Sequence, residues 1–260
     1  MARTLKSDAD ITDVIGKTPP SVNLKVIDHI DAAARQWLTV SPVCFTSFHI
    51  DGSAGVTLGS GPPGFVSSDA KSIRIPLAAL DQPQLAQVRS SFGSLFLAPG
   101  ICETLRINGS VAAVDGEHVN IAVEECYLHC AKALIRSEFW EAKPINTAFD
   151  DAADFVNASR FMTLATFDAA GRADLSPKGD PANKLTRTRD RALWFADRPG
   201  NRRVDSFRNI ITQDEVAALL LIPGSTQVVH FTGSALITTD ETLRAEFEVK
   251  GKTPLISVQI

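Results

Sequence analysis

The chain has 260 residues, 44% hydrophobic and 22% charged, enough for one large domain or two small ones with an ordinary soluble core. Its net charge of −4 argues against wholesale binding to nucleic acid or an anionic membrane, so any basic site must be local. No apolar run nears the roughly 20 residues of a membrane span, the start "MARTLKSDAD" lacks the apolar core of a signal peptide, and four scattered cysteines suggest no disulfide framework. A cytoplasmic location is expected.

In chain order, "VIDHIDAAARQWLTV" (26–40) carries apolar residues at helical spacing. From Ser41, "SPVCFTSFHIDGSAGVTLGSGPPGF" reads as strand, Gly turn, strand and Gly/Pro loop. A short helix is expected to interrupt the strands near "LDQPQLAQV" (80–88), before "LFLAPGICETLRINGS" (95–110) resumes them. "CYLHC" sets Cys126, His129 and Cys130 within one helical turn. Zinc would need a further ligand pair, and Cys44 and Cys102 stand alone, so small-residue packing is preferred and no metal is expected. Pro144 interrupts the helical pattern in "EAKPINTAFDD" (141–151) and marks a boundary there.

The pattern then begins again. "NTAFDDAADFVNA" repeats the lead-in helix, and "SRFMTLATFDAAGRADLSPKGDPAN" from Ser159 repeats the strand pair, with Gly61-Pro62 falling on Asp180-Pro181. "KLTRTRDR" (184–191) is basic but contains Asp190 and reads as a solvated loop, not a nucleic-acid contact. "LLLIPGSTQVVHFTGS" (219–234) matches 95–110, with nine positions between the paired glycines in each (100 to 109, 224 to 233). "EVAALLLIPG" is a continuous apolar strand, and "QVVHFTGSALITT" is its hairpin partner. His230 stands where the first copy has Arg106 and reads as a satisfied strand histidine. The period of about 118 residues implies two tandem copies of one domain, residues 21–143 and 144–260. Each copy is mainly β with short helices, an antiparallel barrel or sandwich.

The copies differ in charge. In "FADRPGNRRVDSFRNI" (195–210), Arg198, Asn201, Arg202 and Arg203 crowd the turn into a helix whose Val204, Phe207 and Ile211 share one face, with Asn201 at the N-cap position. Positive side chains at the positive end of a helix dipole are unfavourable unless an anion arrives, and a phosphate suits. Ser176 and Lys178 of the loop "LSPKGDP" can add donors. The bland account is that Arg202 and Arg203 are solvated and neutralised by Asp197 or Asp205. The first copy has Gln82, Leu85, Ala86 and Gln87 at the matching places, and Gly59 opposite Lys178, so the fold does not require these charges.

"DLSPKGDP", "FADRPGNRRVDSFRNI" and "LLLIPG", with "SGPPGF" and "ETLRINGS…ECYLHCAKALIRSEFW" in the first half, resemble the pyridoxamine 5′-phosphate oxidase-related, FMN-binding split-barrel family. The resemblance runs from about residue 25 as two units. It implies tandem split β-barrels paired as an intramolecular pseudo-dimer, with a further homodimer left open, and FMN as cofactor. It places Ser176, Pro177 and Lys178 beside the flavin and its phosphate, Asn201, Arg202 and Arg203 on the phosphate triplet, and Arg198 in the same turn. Lys132, Arg136 and Trp140, from the first half, are expected to approach the cofactor. The second half stops at "PLISVQI" where the first continues into "EECYLHCAKALIRSEFW", so each half is expected to supply what the other lacks, around one FMN. The implied activity is an FMN-dependent oxidoreductase acting on a reduced nucleotide or small metabolite. The alternatives are a non-catalytic flavin or haem module, with His129 as the haem ligand, or a deazaflavin binder.

Overall fold

Runs rich in Val, Leu, Phe and Thr become strands here, and the Gly, Pro and Asp stretches between them become turns. The computed structural model describes residues 3–146, 148–200 and 202–260. In chain order, β1 (Thr4–Leu5), α1 (Asp8–Ile15) and α2 (Ala32–Val40) precede β2 (Val43–Ile50), β3 (Ser53–Ser60), β4 (Ser67–Ser68) and β5 (Ser72–Pro76). Next come β6 (Ser91–Leu97), β7 (Glu103–Val114), β8 (His118–Cys130), α3 (Lys132–Arg136) and α4 (Ala152–Ala158). β9 (Phe161–Phe167), β10 (Ala173–Gly179), β11 (Thr186–Arg189) and β12 (Ala192–Ala196) lead to α5 (Asp205–Thr212). The chain finishes with β13 (Glu215–Leu221), β14 (Val228–Ser234), β15 (Leu236–Thr238), α6 (Glu241–Glu246) and β16 (Ser257–Gln259).

Two units emerge, and neither is contiguous. The amino-side unit takes residues 20–131 and 167–176; the carboxyl-side unit takes the residues up to Pro19, 132–166 and 177–260. Residues 132–143, read from sequence as the tail of the first copy, thus group with the carboxyl-side unit.

The amino-side unit is one antiparallel sheet ordered β3-β2-β6-β7-β8-β5-β4. β7 and β8 run alongside one another with register shifts at Asn108/Gly109 and Val111/Ala113, bulges that raise local twist. Phe48, Phe92, Phe96, Ile73, Ile107 and Ile121 fill its core with Trp37 and Leu38 of α2, each large side chain contributing roughly 1.5–3 kcal/mol by leaving water. The carboxyl-side unit holds the four-stranded sheet β10-β9-β13-β14, whose 167–176 hairpin end groups with the other unit, and the five-stranded sheet β1-β15-β16-β12-β11. Its core joins Ile11 of α1 and Phe207 of α5 to Leu164, Leu193, Phe195, Val216 and Val258. The chain is mostly β with short helices and several antiparallel sheets, as expected.

Several local expectations change. Residues 80–88 hold no α-helix: Leu77–Ala79 and Pro83–Leu85 are single 3-10 turns, since Pro83 can open a turn but donates no N–H to one. "CYLHC" ends strand β8, not a helix, so Cys126 and His129 project to opposite sides. "SPKG" ends strand β10, not a loop; Pro177 is tolerated because β10 is an edge strand. Thr186–Arg189, read as a solvated loop, forms β11 against β12. Finally, α5 begins at Asp205 with Val204 as N-cap, because Arg202 takes a left-handed φ of 57° that stops the helix extending back to Asn201. Asn201 itself lies outside the described residues.

Candidate functional site: a cationic cluster at the start of α5

Three parts of the carboxyl-side unit bring charge to the opening of α5. β10 supplies Lys178, whose ammonium lies 5.0 Å from the ring centre of Phe207, in the first turn of α5, and 6.0 Å from that of Phe195 in β12. Both rings present a negative face to it. The β12–α5 connection supplies Arg198, Arg202 and Arg203, and α3 supplies Arg136.

Arg198 is a built-in strut. Its Nε donates to Asp180 Oδ2 at 2.7 Å, Nη1 to the Phe247 carbonyl at 2.7 Å, and Nη2 to the Lys184 carbonyl at 3.1 Å. Arg136 Nε donates to the Gly179 carbonyl at 2.7 Å and stands 3.5 Å from Asp180 Oδ1. Asp180, with 2% of its side chain exposed, is therefore a buried carboxylate between two guanidinium groups. Burial pushes its carboxyl above the usual range, against the pull of Arg198 and Arg136. Asp197 is also pushed up by burial, with Lys178 the strongest opposing influence. Gly179 makes the approach of α3 possible: a Cβ there would stand 2.1 Å from the Ala133 carbonyl oxygen.

The remaining expected residues divide. Arg203 Nε donates to Asp205 Oδ2 at 2.6 Å, so the neutralising carboxylate weighed from sequence is present. Arg202 is exposed, and its side chain makes no hydrogen bond or ion pair among the described residues. Ser176 and Pro177 are buried in β10, with Ser176 grouped in the amino-side unit. Lys132 is exposed at the start of α3. Trp140 packs edge-on against Phe139 at 4.9 Å, and Phe139 in turn against Phe161. Neither Lys132 nor Trp140 is joined to the cluster by these contacts.

Arg136, Lys178, Arg198 and Arg203 thus share three carboxylates, Asp180, Asp197 and Asp205, while the Arg202 side chain pairs with no described residue. The N-cap Val204 offers α5 no side-chain acceptor, and the Phe207 N–H is taken by the Val204 carbonyl at 2.9 Å. Surplus positive charge at the positive end of a helix dipole suits an anion. An FMN phosphate fits this chemistry, with Lys178, Arg202 and Arg203 as donors and Arg198 as support. The amino-side unit has no counterpart: a Cβ at Gly59 would stand 2.7 Å from Cys44 Sγ and 3.0 Å from Leu80 Cδ2, so no lysine could occupy that place unchanged.

Sequence reading overlooked Asp180. Its signal was present in the repeat: Asp180 and Arg198 occur together in one copy, while Gly61 and Gln82 occupy both places in the other. A buried charge pair arrives or departs whole, because half of one is costly.

The fold and the cluster together define a mostly β protein with a split-barrel-like domain. Residues 148–255 match the family model described as pyridoxamine 5′-phosphate oxidase, a stretch that takes in Lys178, Arg198, Arg202, Arg203 and the whole of α5. No curated protein matches the chain. Among solved structures, group A Streptococcus HupZ is 19% identical with a TM-score of 0.34, over 44% of this chain and 88% of that one. The K. pneumonia MrkH–c-di-GMP complex is 10% identical with a TM-score of 0.25, over 100% of this chain and 86% of that one. Scores this low carry no argument about fold or ligand. No helix among the described residues is long and apolar enough to cross a membrane, and no group of three or more His, Cys, Asp or Glu side chains is placed to hold a metal ion among them.

Proposed function

We propose that the chain is an FMN-binding flavoprotein and that Lys178, Arg202 and Arg203 hold the FMN phosphate at the start of α5. The observation that carries this reading is the meeting of Lys178 from β10 with the first turn of α5, inside the segment that matches the oxidase family. Phosphate oxygens would accept from Arg202 and from Lys178 at the positive end of the α5 dipole, while Arg203 would share its guanidinium between Asp205 and the phosphate. Arg198 and Asp180 tie the ends of β12 and β10, strands of two different sheets, to one another. The internal repeat supports a tandem duplication in which the amino-side copy has lost these donors.

When bound, FMN supplies two-electron redox chemistry, and the protein supplies binding, orientation and exclusion of water. The activity proposed is an FMN-dependent oxidoreductase taking reducing equivalents from a reduced nucleotide or a small metabolite. No general acid or nucleophile is required of the protein for that role.

The visible spectrum of purified protein, with a count of flavin per chain, tests cofactor identity. Arg202→Ala combined with Arg203→Ala should weaken FMN binding by roughly two orders of magnitude or more, since charge-assisted hydrogen bonds contribute about 1.5–3 kcal/mol each. Equal FMN retention in the double variant would reject the phosphate assignment. Bleaching of the flavin by NADPH without oxygen would support turnover, and its absence would count against NADPH as the reductant.

A further inference from the structure

The amino-terminal residues of the carboxyl-side unit lie against the turn that precedes α5. β1 pairs with β15 through Leu5↔Ile237, and α1 buries Ile11 in the core shared with Phe207. Asp8 accepts from Arg208 Nε at 2.5 Å, which ties α1 to α5. Beyond α1 the chain bends sharply at Gly16, with φ 92° and ψ 168°, a region open essentially to glycine alone. The bend carries Thr18 to the turn, where its hydroxyl donates to the Arg202 carbonyl at 2.9 Å. Gly16 lies beside the Arg202 guanidinium, with a Cβ there falling 3.5 Å from Nη1.

Arg202 needs such support. A left-handed φ is unfavourable for arginine, and its side chain has no hydrogen-bond or ion-pair partner among the described residues. We infer that Gly16 and Thr18 are positioning residues: they hold the Arg202 turn, and with it the guanidinium, ready for a phosphate group. The amino-terminal segment then tunes affinity at a site 184 residues further along the chain. The inference rests on the proposed role of Arg202, and its test separates the two.

FMN and riboflavin, which lacks the phosphate, are titrated into full-length apoprotein with flavin fluorescence as readout. Thr18→Val should weaken FMN binding about fivefold, the factor expected of one ordinary hydrogen bond. Riboflavin binding should not change, and Thr18→Ser should bind FMN like the parent. In an Arg202→Ala background, Thr18→Val should have no further effect on FMN. Equal weakening for both flavins, strict additivity in that cycle, or no change in Thr18→Val would each overturn the inference. If Arg202→Ala itself leaves FMN affinity intact, the phosphate assignment falls and this inference with it.

Discussion

Arg198 and Arg202 stand four residues apart and do opposite work. Arg198 spends three donors on Asp180, Lys184 and Phe247, with 9% of its side chain exposed. Arg198→Ala would strand a buried carboxyl and two carbonyls, and should cost about 3–5 kcal/mol in urea denaturation. Arg202→Ala removes an exposed side chain and should change stability by no more than about 0.5 kcal/mol, while lowering FMN affinity. A large stability loss in Arg202→Ala would show that it, too, is a strut. The sequence made both arginines visible but could not sort them, because their partners at 18, 14 and 49 residues' distance come from tertiary structure.

At the scale of elements, strands were legible wherever apolar alternation met Gly or Pro turns, as in the β13–β14 hairpin with Leu219 opposite His230. The face of α5 was legible in part: Val204 and Phe207 are buried as expected, but Ile210 completes the buried set and Ile211 is only partly buried against the same core. Its start was not, because the decisive event is a left-handed arginine that propensity does not foresee. Proline misled at β10, where an edge position excuses the missing N–H. The seating of α3 on β10 depends on Gly179, whose hypothetical Cβ meets the Ala133 carbonyl. Gly179→Ala should push α3 outward and destabilise the protein by about 1–3 kcal/mol, the usual cost of overpacking. Unchanged thermal melting in that variant would mean the helix is not seated there.

Across the whole molecule, the carboxylates pull stability in opposite directions with pH. In the amino-side unit, the Lys71 ammonium is the main cause holding Asp28 at about 2, and the His118 backbone N–H the main cause holding Asp115 at about 2. Both lie below the ordinary 3.8, so their contribution is present above that value and is lost as pH falls from about 4 to about 2. Asp180 and Asp197 are pushed upward, so they favour the folded state at acid pH and withdraw that support as pH rises through their elevated values. Denaturation midpoints measured between pH 2 and pH 4 should fall steadily for the parent and less steeply for Asp115→Asn. Parallel curves for the two proteins would exclude Asp115 as a contributor.

The position of β16 bears on how the protein is made. Residues 257–259 form the middle strand of the five-stranded sheet, between β15 and β12, while β1 waits at its edge from residue 4 onward. A ribosome releases the amino-terminal strand well before the central one, so this sheet cannot close until β16 has been made. The amino-side unit draws all but its 167–176 segment from residues 20–131, and those residues can begin to collapse while the rest is still being threaded. Assembly of the carboxyl-side unit is thereby deferred until synthesis has passed Gln259.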